Sequence, residues 1–347
     1  NQNKVYNKYV NNNKINAIIL KNDRRFIKNK YIYNIIVFIS ILFLLDRTLK
    51  KNKIHVVYAA STLSALASVL IKIFYPIKII HSRMHAQSPH KLTKVLLKII
   101  FKNVNGLVYN SFYTKNIHEK MYININKIPN IVSYSIVENP KKYLNTNSID
   151  HMFMQDLKKE NDVIIGCVGR ISPVKNIHLF IEVAKCMYHF NNNLKLKFII
   201  VGDADPRFPN YYNKINELTD LLGPEVILQI GYKEFVYDII SSLDLIIQLS
   251  EGEAFGRVIL ESALLNVPLL VKSPGGSDEI ISHYAKGQLI FNNDVKNIAL
   301  TAFDLISLEK NKKSNNNLQN IFNPETLTKK EMGFMREIIS YDRINNV

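Results

Sequence analysis

Short apolar runs separated by longer segments of mixed periodicity organise this chain. His55–Ala60 reads as a buried strand, Ser61–Phe74 as a helix, Ile77–His81 as a strand, 91–103 as an amphipathic helix, and Gly106–Tyr109 as a strand before a helix from Ser111. Apolar runs this short, bounded by polar residues, suit strands covered on both faces. Strand alternating with helix predicts a parallel sheet with helices on both sides. From Val132 to Asn161 the pattern weakens into polar text containing NPKKYLNTNS, which reads as a linker over 141–161. VIIGCV (Val163–Val168) opens a second series, followed by Lys197–Val201, Val226–Ile230, Leu245–Leu249 and Pro268–Val271 with helices between. The expectation is α/β: two Rossmann-like, doubly wound domains facing across a cleft, at 1–140 and 162–324. A helix over 325–347 is expected to pack back on the first domain.

Two hydrophobic segments need separate treatment. YIYNIIVFISILFLL (Tyr31–Leu45) is shorter than the roughly 20 residues that span a bilayer, so a core helix or a strand plus helix is expected. No small-residue cleavage site follows it, which argues against a signal peptide. In KLTKVLLKIIFK, Lys91, Lys94, Lys98 and Lys102 recur at helical spacing, while Leu92, Val95, Leu96, Ile99 and Ile100 fill the other side. That helix suits either the headgroup layer of an anionic membrane or packing against its own domain.

Charge sharpens this. Of 45 Lys and Arg, 24 lie in the first 150 residues, against 5 of the 29 Asp and Glu, within a 347-residue chain of net charge +16. A basic first domain points to an anionic partner surface. Nucleic acid is disfavoured, because aromatic residues do not interleave the basic helix. Cys167 and Cys186 sit in apolar segments without a CxxC pattern and read as reduced core residues of a cytoplasmic protein. Asn11-Asn12-Asn13 and Asn191-Asn192-Asn193 read as loop.

The chemistry concentrates after the second-series strands. Strand VIIGCV ends in Gly169-Arg170 and, after a short loop, Lys175. Ligands of such sheets bind outside the carboxyl ends of the strands, where Arg grips phosphate bidentately and Lys adds a point charge. SEGEAFGRVILESALLNVPLL (250–270) places Glu253 and Glu261 on either side of a helix start near Phe255 and Gly256. Uncapped N–H groups and the helix dipole would stabilise a phosphate there, and carboxylates on both sides could accept hydrogen bonds from vicinal hydroxyls. Gly202-Asp203-Ala204-Asp205 spells DxD but follows a strand as a turn, and His81 and His85 have metal-like spacing at a strand end rather than on a helix face. No metal site is expected.

G-R-x4-K, then S-x-x-E-x-F-G-x4-E, then PGGSDEI after the next strand, resembles the retaining glycosyltransferases of family four, which have the GT-B fold. The likeness runs from about Val163 to Ile290 and extends more weakly to IKIIHSRMH and VNGLVYNSFYTKNI in the first domain. The resemblance implies a nucleotide-sugar donor, with Arg170 and Lys175 on its diphosphate, Glu261 on the ribose, and Glu253 on the sugar beside the N–H groups of Phe255 and Gly256. It further implies His85 approaching the sugar from the first domain and Tyr232 and Lys233 bordering the base. It implies no metal or other cofactor and transfer with retention. The reading that follows is a cytoplasmic enzyme acting on a glycan or lipid-linked acceptor in surface polysaccharide or lipopolysaccharide synthesis at the inner face of a membrane, with the basic helix 91–103 as one of two readings that would bring it to that surface. The alternatives are an inactive GT-B binding protein at an anionic membrane and a GT-B sugar-nucleotide epimerase. Family members open with a strand and a glycine loop, yet the first glycine here is Gly106, so a truncated first domain, with an upstream segment before Asn1, is expected.

Overall fold

The computed structural model describes residues 30–86, 90–190, 193–234, 236–308 and 317–344. Asn11, Asn12, Asn13, Asn191 and Asn192 lie outside the described residues, as does the stretch ahead of Lys30.

The first series forms α1 (Lys30–Lys51), β1 (Val56–Ala59), α2 (Thr62–Ile71), β2 (Lys78–Arg83), α3 (Lys91–Asn103), β3 (Gly106–Tyr109), α4 (Phe112–Met121) and β4 (Asn130–Val132). Its four strands pair in parallel in the order β1-β2-β3-β4. Ile79 and Leu107 of the sheet pack with Ala65, Leu97 and Ile100 from the helices. Serines start the helices: Ser61 makes a capping box with Ser64, and the Ser111 hydroxyl accepts from Thr114 N.

Helix α1 corrects an expectation. The apolar run stops at Leu45, but Asp46 pairs with Lys50 one turn on (2.8 Å) and accepts from Tyr75 Oη (2.6 Å), so the helix continues to 22 residues. Leu42, Leu45 and Leu49 pack on the first core. Ile32, Ile35, Ile39 and Phe43 face outward, more than half exposed, so α1 is no core helix. By length and composition Ile32–Lys51 is able to cross a membrane. The apolar side of α3 is likewise divided: Leu97, Ile100 and Phe101 are buried, whereas Leu92, Val95 and Ile99 are exposed.

The second series comprises α5 (Ile149–Glu160), β5 (Val163–Val168), α6 (Ile177–Phe190), β6 (Leu196–Val201), α7 (Pro209–Leu222), β7 (Ile227–Gly231), α8 (Val236–Ser241), β8 (Leu245–Gln248), α9 (Arg257–Leu264), β9 (Leu269–Lys272), α10 (Ser277–Ile281), β10 (Gly287–Ile290), α11 (Val295–Leu308), α12 (Leu318–Ile321) and α13 (Pro324–Ile344). The six-stranded parallel sheet runs β10-β9-β8-β5-β6-β7. Strand order reverses between β5 and β8, and a crevice opens beyond the carboxyl ends of strands at such a point.

The segment read as linker contains helix α5. Ser148 caps it by accepting from His151 N and also donates to Asp238 in α8 (2.5 Å), tying the segment to the second sheet. Helix α13 returns to the first sheet, with Phe334 and Ile338 packed on Ile80 and Val108. The two domains also meet through their loops and helices. Ser111 Oγ donates to Ala254 O (2.5 Å), and Glu279 of α10 accepts from Phe112 N (3.1 Å) and Tyr113 N (2.9 Å) at the start of α4.

Candidate functional site

Between the sheets lies a cavity of about 430 Å³, lined from the second domain by Arg170, Lys175, Glu253, Phe255 and Gly256, and from the first by His85 and Asn110. Residues read from widely separated stretches therefore converge.

Local geometry explains each contribution. Gly256 caps α9 at φ +91°, a conformation that disfavours side chains, and no side chain caps the helix, so its first N–H groups remain for an anion. The helix starts at Arg257, two residues later than Phe255. Phe255 is buried, stacked at 5.6 Å on Tyr134, and anchors the turn. Lys175 Nζ bonds Glu253 Oε2 at 2.5 Å, so cation and carboxylate are already paired inside the cavity. Arg170 is mostly exposed and reaches Asp205 Oδ2 at 3.3 Å. Asp205 is held more tightly by Arg207 (2.9 and 2.5 Å), and these bonds bring its pKa down to about 2. Asp203 accepts from Tyr232 N at 3.0 Å. Both carboxylates of the DxD sequence are thus engaged by protein groups.

His85 is exposed at the cleft rim. Partial burial, then the nearby Arg83 and Arg207 cations, lowers its pKa. Its spacing partner His81 is in the core, with Nδ1 2.8 Å from Ala59 O, so the two do not form one site. Among the described residues no group of three His, Cys, Asp or Glu side chains could hold a metal ion.

Glu261 lies outside the cavity lining, on α9. It is 7% exposed, and burial raises its pKa against the attraction of Arg257, 3.6 Å away, and the Tyr237 hydroxyl. Gly169 follows β5 and donates to Val201 O at 2.8 Å. Tyr232 is well exposed, and Lys233 is turned to Asp150 of α5 at 3.2 Å, so neither lines the cavity.

The sequence reading passed over several lining residues. Arg257 carried a signal that could have found it: a cation in the first turn of a helix opposes the dipole, unless an anion is to sit there. Asn110 and Gln248 carried no such signal, because only the fold brings them to the cavity.

The chain resembles curated glycosyltransferases over part of its length. It is 30% identical over 139 residues, 40% of this chain and 35% of the relative, to the UDP-Gal:alpha-D-GlcNAc-diphosphoundecaprenol alpha-1,3-galactosyltransferase of Escherichia coli. It is 26% identical over 172 residues, 49% of this chain and 43% of the relative, to the capsular polysaccharide biosynthesis glycosyltransferase CapM of Staphylococcus aureus. These matches span less than half the length of the relatives. The fold matches Anabaena HepE, solved in complex with UDP and glucose, with a TM-score of 0.73 at 19% identity over 85% of this chain and 80% of that one. Residues 148–321, half of the chain, match the model described as Glycosyl transferases group 1, and the chain belongs to that family, with the GT-B fold.

Proposed function

We propose that this protein transfers a sugar from a nucleotide-sugar donor to a glycan or lipid-linked acceptor, with retention and without a metal. The observation that carries this is the single cavity where Arg170, Lys175 and the uncapped start of α9 meet Glu253 and His85. As the bond from anomeric carbon to phosphate breaks, negative charge grows on the diphosphate, and fixed cations and N–H groups stabilise it most when preorganised in a site sheltered from water. The acceptor hydroxyl attacks from the same face, and its proton passes to the departing phosphate oxygen. Glu253 and His85 hold sugar hydroxyls, and Glu261 holds the ribose. HepE was solved with UDP and glucose, which supports trying UDP-sugars first.

A thermal-shift panel of UDP-, GDP- and ADP-sugars, with Glu261→Ala beside the parent chain, tests this reading. One base is expected to raise the melting temperature of the parent and far less that of the variant. Equal stabilisation of both proteins removes the ribose assignment, and no stabilisation by any donor removes the donor reading.

The acceptor reading includes peripheral attachment at the cytoplasmic face of an anionic membrane. Outward Leu92, Val95 and Ile99 among exposed Lys91, Lys98 and Lys102, with the apolar face of α1, support it. Flotation with anionic liposomes is expected at low salt and to be lost when the three lysines become Glu. No flotation of the parent chain refutes the attachment.

A further inference from the structure

Lys175 and Glu253 stand on loops that leave two neighbouring strands, β5 and β8, and their pairing at 2.5 Å depends on how those loops are held. Three hydrogen bonds join the loops. Glu251 N donates to Val174 O (2.8 Å), and the Asn176 amide group donates to Leu249 O (3.0 Å) and to Glu251 Oε1 (3.2 Å). Asn176 adopts φ +50°, a left-handed conformation that Asn tolerates better than most residues, and it is buried in the junction.

The same carboxylate oxygen has a second anchor. Lys272, the last residue of β9, bonds Glu251 Oε1, and its ammonium also donates to Asn293 Oδ1 in the loop after β10. Strands β10, β9, β8 and β5 are consecutive in the sheet, so these bonds link the carboxyl-end loops of four neighbours. Only 8% of the Lys272 side chain is exposed, against 54% of that of Glu251. A cation so buried is costly unless an anion is bonded to it. Glu251 supplies the anion, and its bond to Lys272 is the largest influence holding its carboxyl below the usual range. None of Asn176, Glu251 and Lys272 lines the cavity.

We infer that Glu251 is a positioning residue: tied to Asn176 and Lys272, it fixes where Glu253 stands relative to Lys175, and so serves sugar transfer without touching the donor. The inference rests on the donor reading above and gives the two carboxylates of Glu251-Gly252-Glu253 separate tasks. Loss of the tie affects the cavity pair unequally. Lys175 carries its charge on a long flexible stem that can follow a phosphate, whereas Glu253 shifts with its loop. A displacement of about 1 Å at a reacting centre costs up to about a hundredfold in rate.

NMR of the full chain with isotope-labelled lysine Cε groups, beside kinetics, tests this. Lys175→Met assigns the Lys175 signal, and Glu253→Ala gives its position when the pair is broken. Glu251→Ala is expected to move the signal most of the way to that position. Glu251→Gln, which keeps an acceptor oxygen for both Asn176 and Lys272, is expected to leave it near that of the parent. On the donor identified by the thermal-shift panel, Glu251→Ala is expected to lower kcat about tenfold or more while nucleotide affinity stays within about threefold. Glu251→Gln should recover most of that loss. Lys272→Met is expected to act in the same direction, and adding it to Glu251→Ala to cost little more, because both remove one tie. Should Glu251→Ala not fold, Lys272→Met, which strands no buried charge, carries the same test. A merely structural role predicts instead that kcat and nucleotide affinity fall together. If no nucleotide shifts the parent chain, the donor reading fails and the Lys175 signal alone decides the tie. A Lys175 signal unmoved when the tie is removed, an unchanged kcat, or equal losses of kcat and nucleotide affinity overturns the inference.

Discussion

Lys175 Nζ and Glu253 Oε2 stand 2.5 Å apart in the cavity between the sheets, so the cation proposed for the diphosphate and the carboxylate proposed for the sugar are one bonded pair. Both are largely buried, in the range where a charge-assisted hydrogen bond is worth about 1.5–3 kcal/mol. Removing either partner strands the other, and the two losses differ. Glu253→Gln is expected to leave nucleotide affinity within about twofold and to lower transfer about a hundredfold, because the role proposed for the lost group is on the sugar. Lys175→Met is expected to weaken nucleotide binding about tenfold or more. Isothermal titration with the nucleotide, beside turnover of the donor that it identifies, checks both; equal loss of nucleotide affinity in the two variants contradicts the division of roles.

The neighbouring contact between domains is expected to govern the same loop. Ala254 O accepts from Ser111 Oγ (2.5 Å) and Thr114 Oγ1 (3.2 Å), while Gly276 packs so closely that a Cβ would sit 2.1 Å from Ala254 O and 2.9 Å from Ser111 Oγ. Gly276 itself has φ −65°, which any residue adopts, so only the contact forbids a side chain. Gly276→Ala is therefore expected to part the loop from α4, raising the donor KM about tenfold and costing about 1–3 kcal/mol of stability. Chemical denaturation and kinetics on the identified donor measure the two effects. A variant with parent stability and parent KM rules out the tight contact.

Glu279 offers the milder version of that test. Its carboxylate accepts from Phe112 N and Tyr113 N at the start of α4, adding to the Ser111 cap from the other domain. Glu279→Ala should destabilise by about 1–2 kcal/mol, and Glu279→Gln, which keeps an acceptor oxygen, should recover part of it. Small-angle scattering should show a larger radius of gyration for the alanine variant; identical curves would mean that the contact does not hold the domains together.

The legible parts of this molecule were those encoded locally. The buried strands Val163–Val168 and Gly106–Tyr109 announce themselves as short apolar runs, and the Gly169, Arg170, Lys175 loop follows directly because strands of such sheets end at the site. Helix α1 was legible as a helix-like segment ending near Lys53, but its outward apolar face was not, because an apolar run reads the same whether its far side packs on a core or is left bare. Helix α5 was hidden by its polar surface, since only Met154 is a fully buried apolar residue there. The Ser111 to Ala254 bond joins residues 143 positions apart, and no local pattern encodes such a distance. Asn110 Oδ1 and Ser133 Oγ, buried without a hydrogen-bond partner among the described residues, share that difficulty: an unsatisfied atom becomes visible only once its surroundings are built.

The first domain also carries a buried cation whose neighbours determine its acid response. Arg83 is 5% exposed, and its guanidinium meets His81 Nε2 at 3.5 Å and His118 Nε2 at 3.3 Å, with Tyr109, Tyr122 and the His85 backbone around it. Burial and then Arg83 bring the His81 pKa down to about 4 and that of His118 to about 3. Both imidazoles are neutral in the folded protein, whereas in the unfolded chain they protonate near pH 6.5. As pH falls from about 6.5 to 4, the unfolded state takes up protons that the folded state refuses, so stability falls with pH. Each unit of depression corresponds to about 1.4 kcal/mol, so each histidine costs on the order of 3 kcal/mol by pH 4. Urea unfolding at a series of pH values should give a slope reduced by about one proton in His118→Gln, which keeps an acceptor for Arg83 but does not titrate. The slope separates this effect from any general destabilisation by the substitution, which would displace the whole curve without changing its steepness. An unchanged slope would show that His118 does not hold its proton affinity down as its burial beside Arg83 demands.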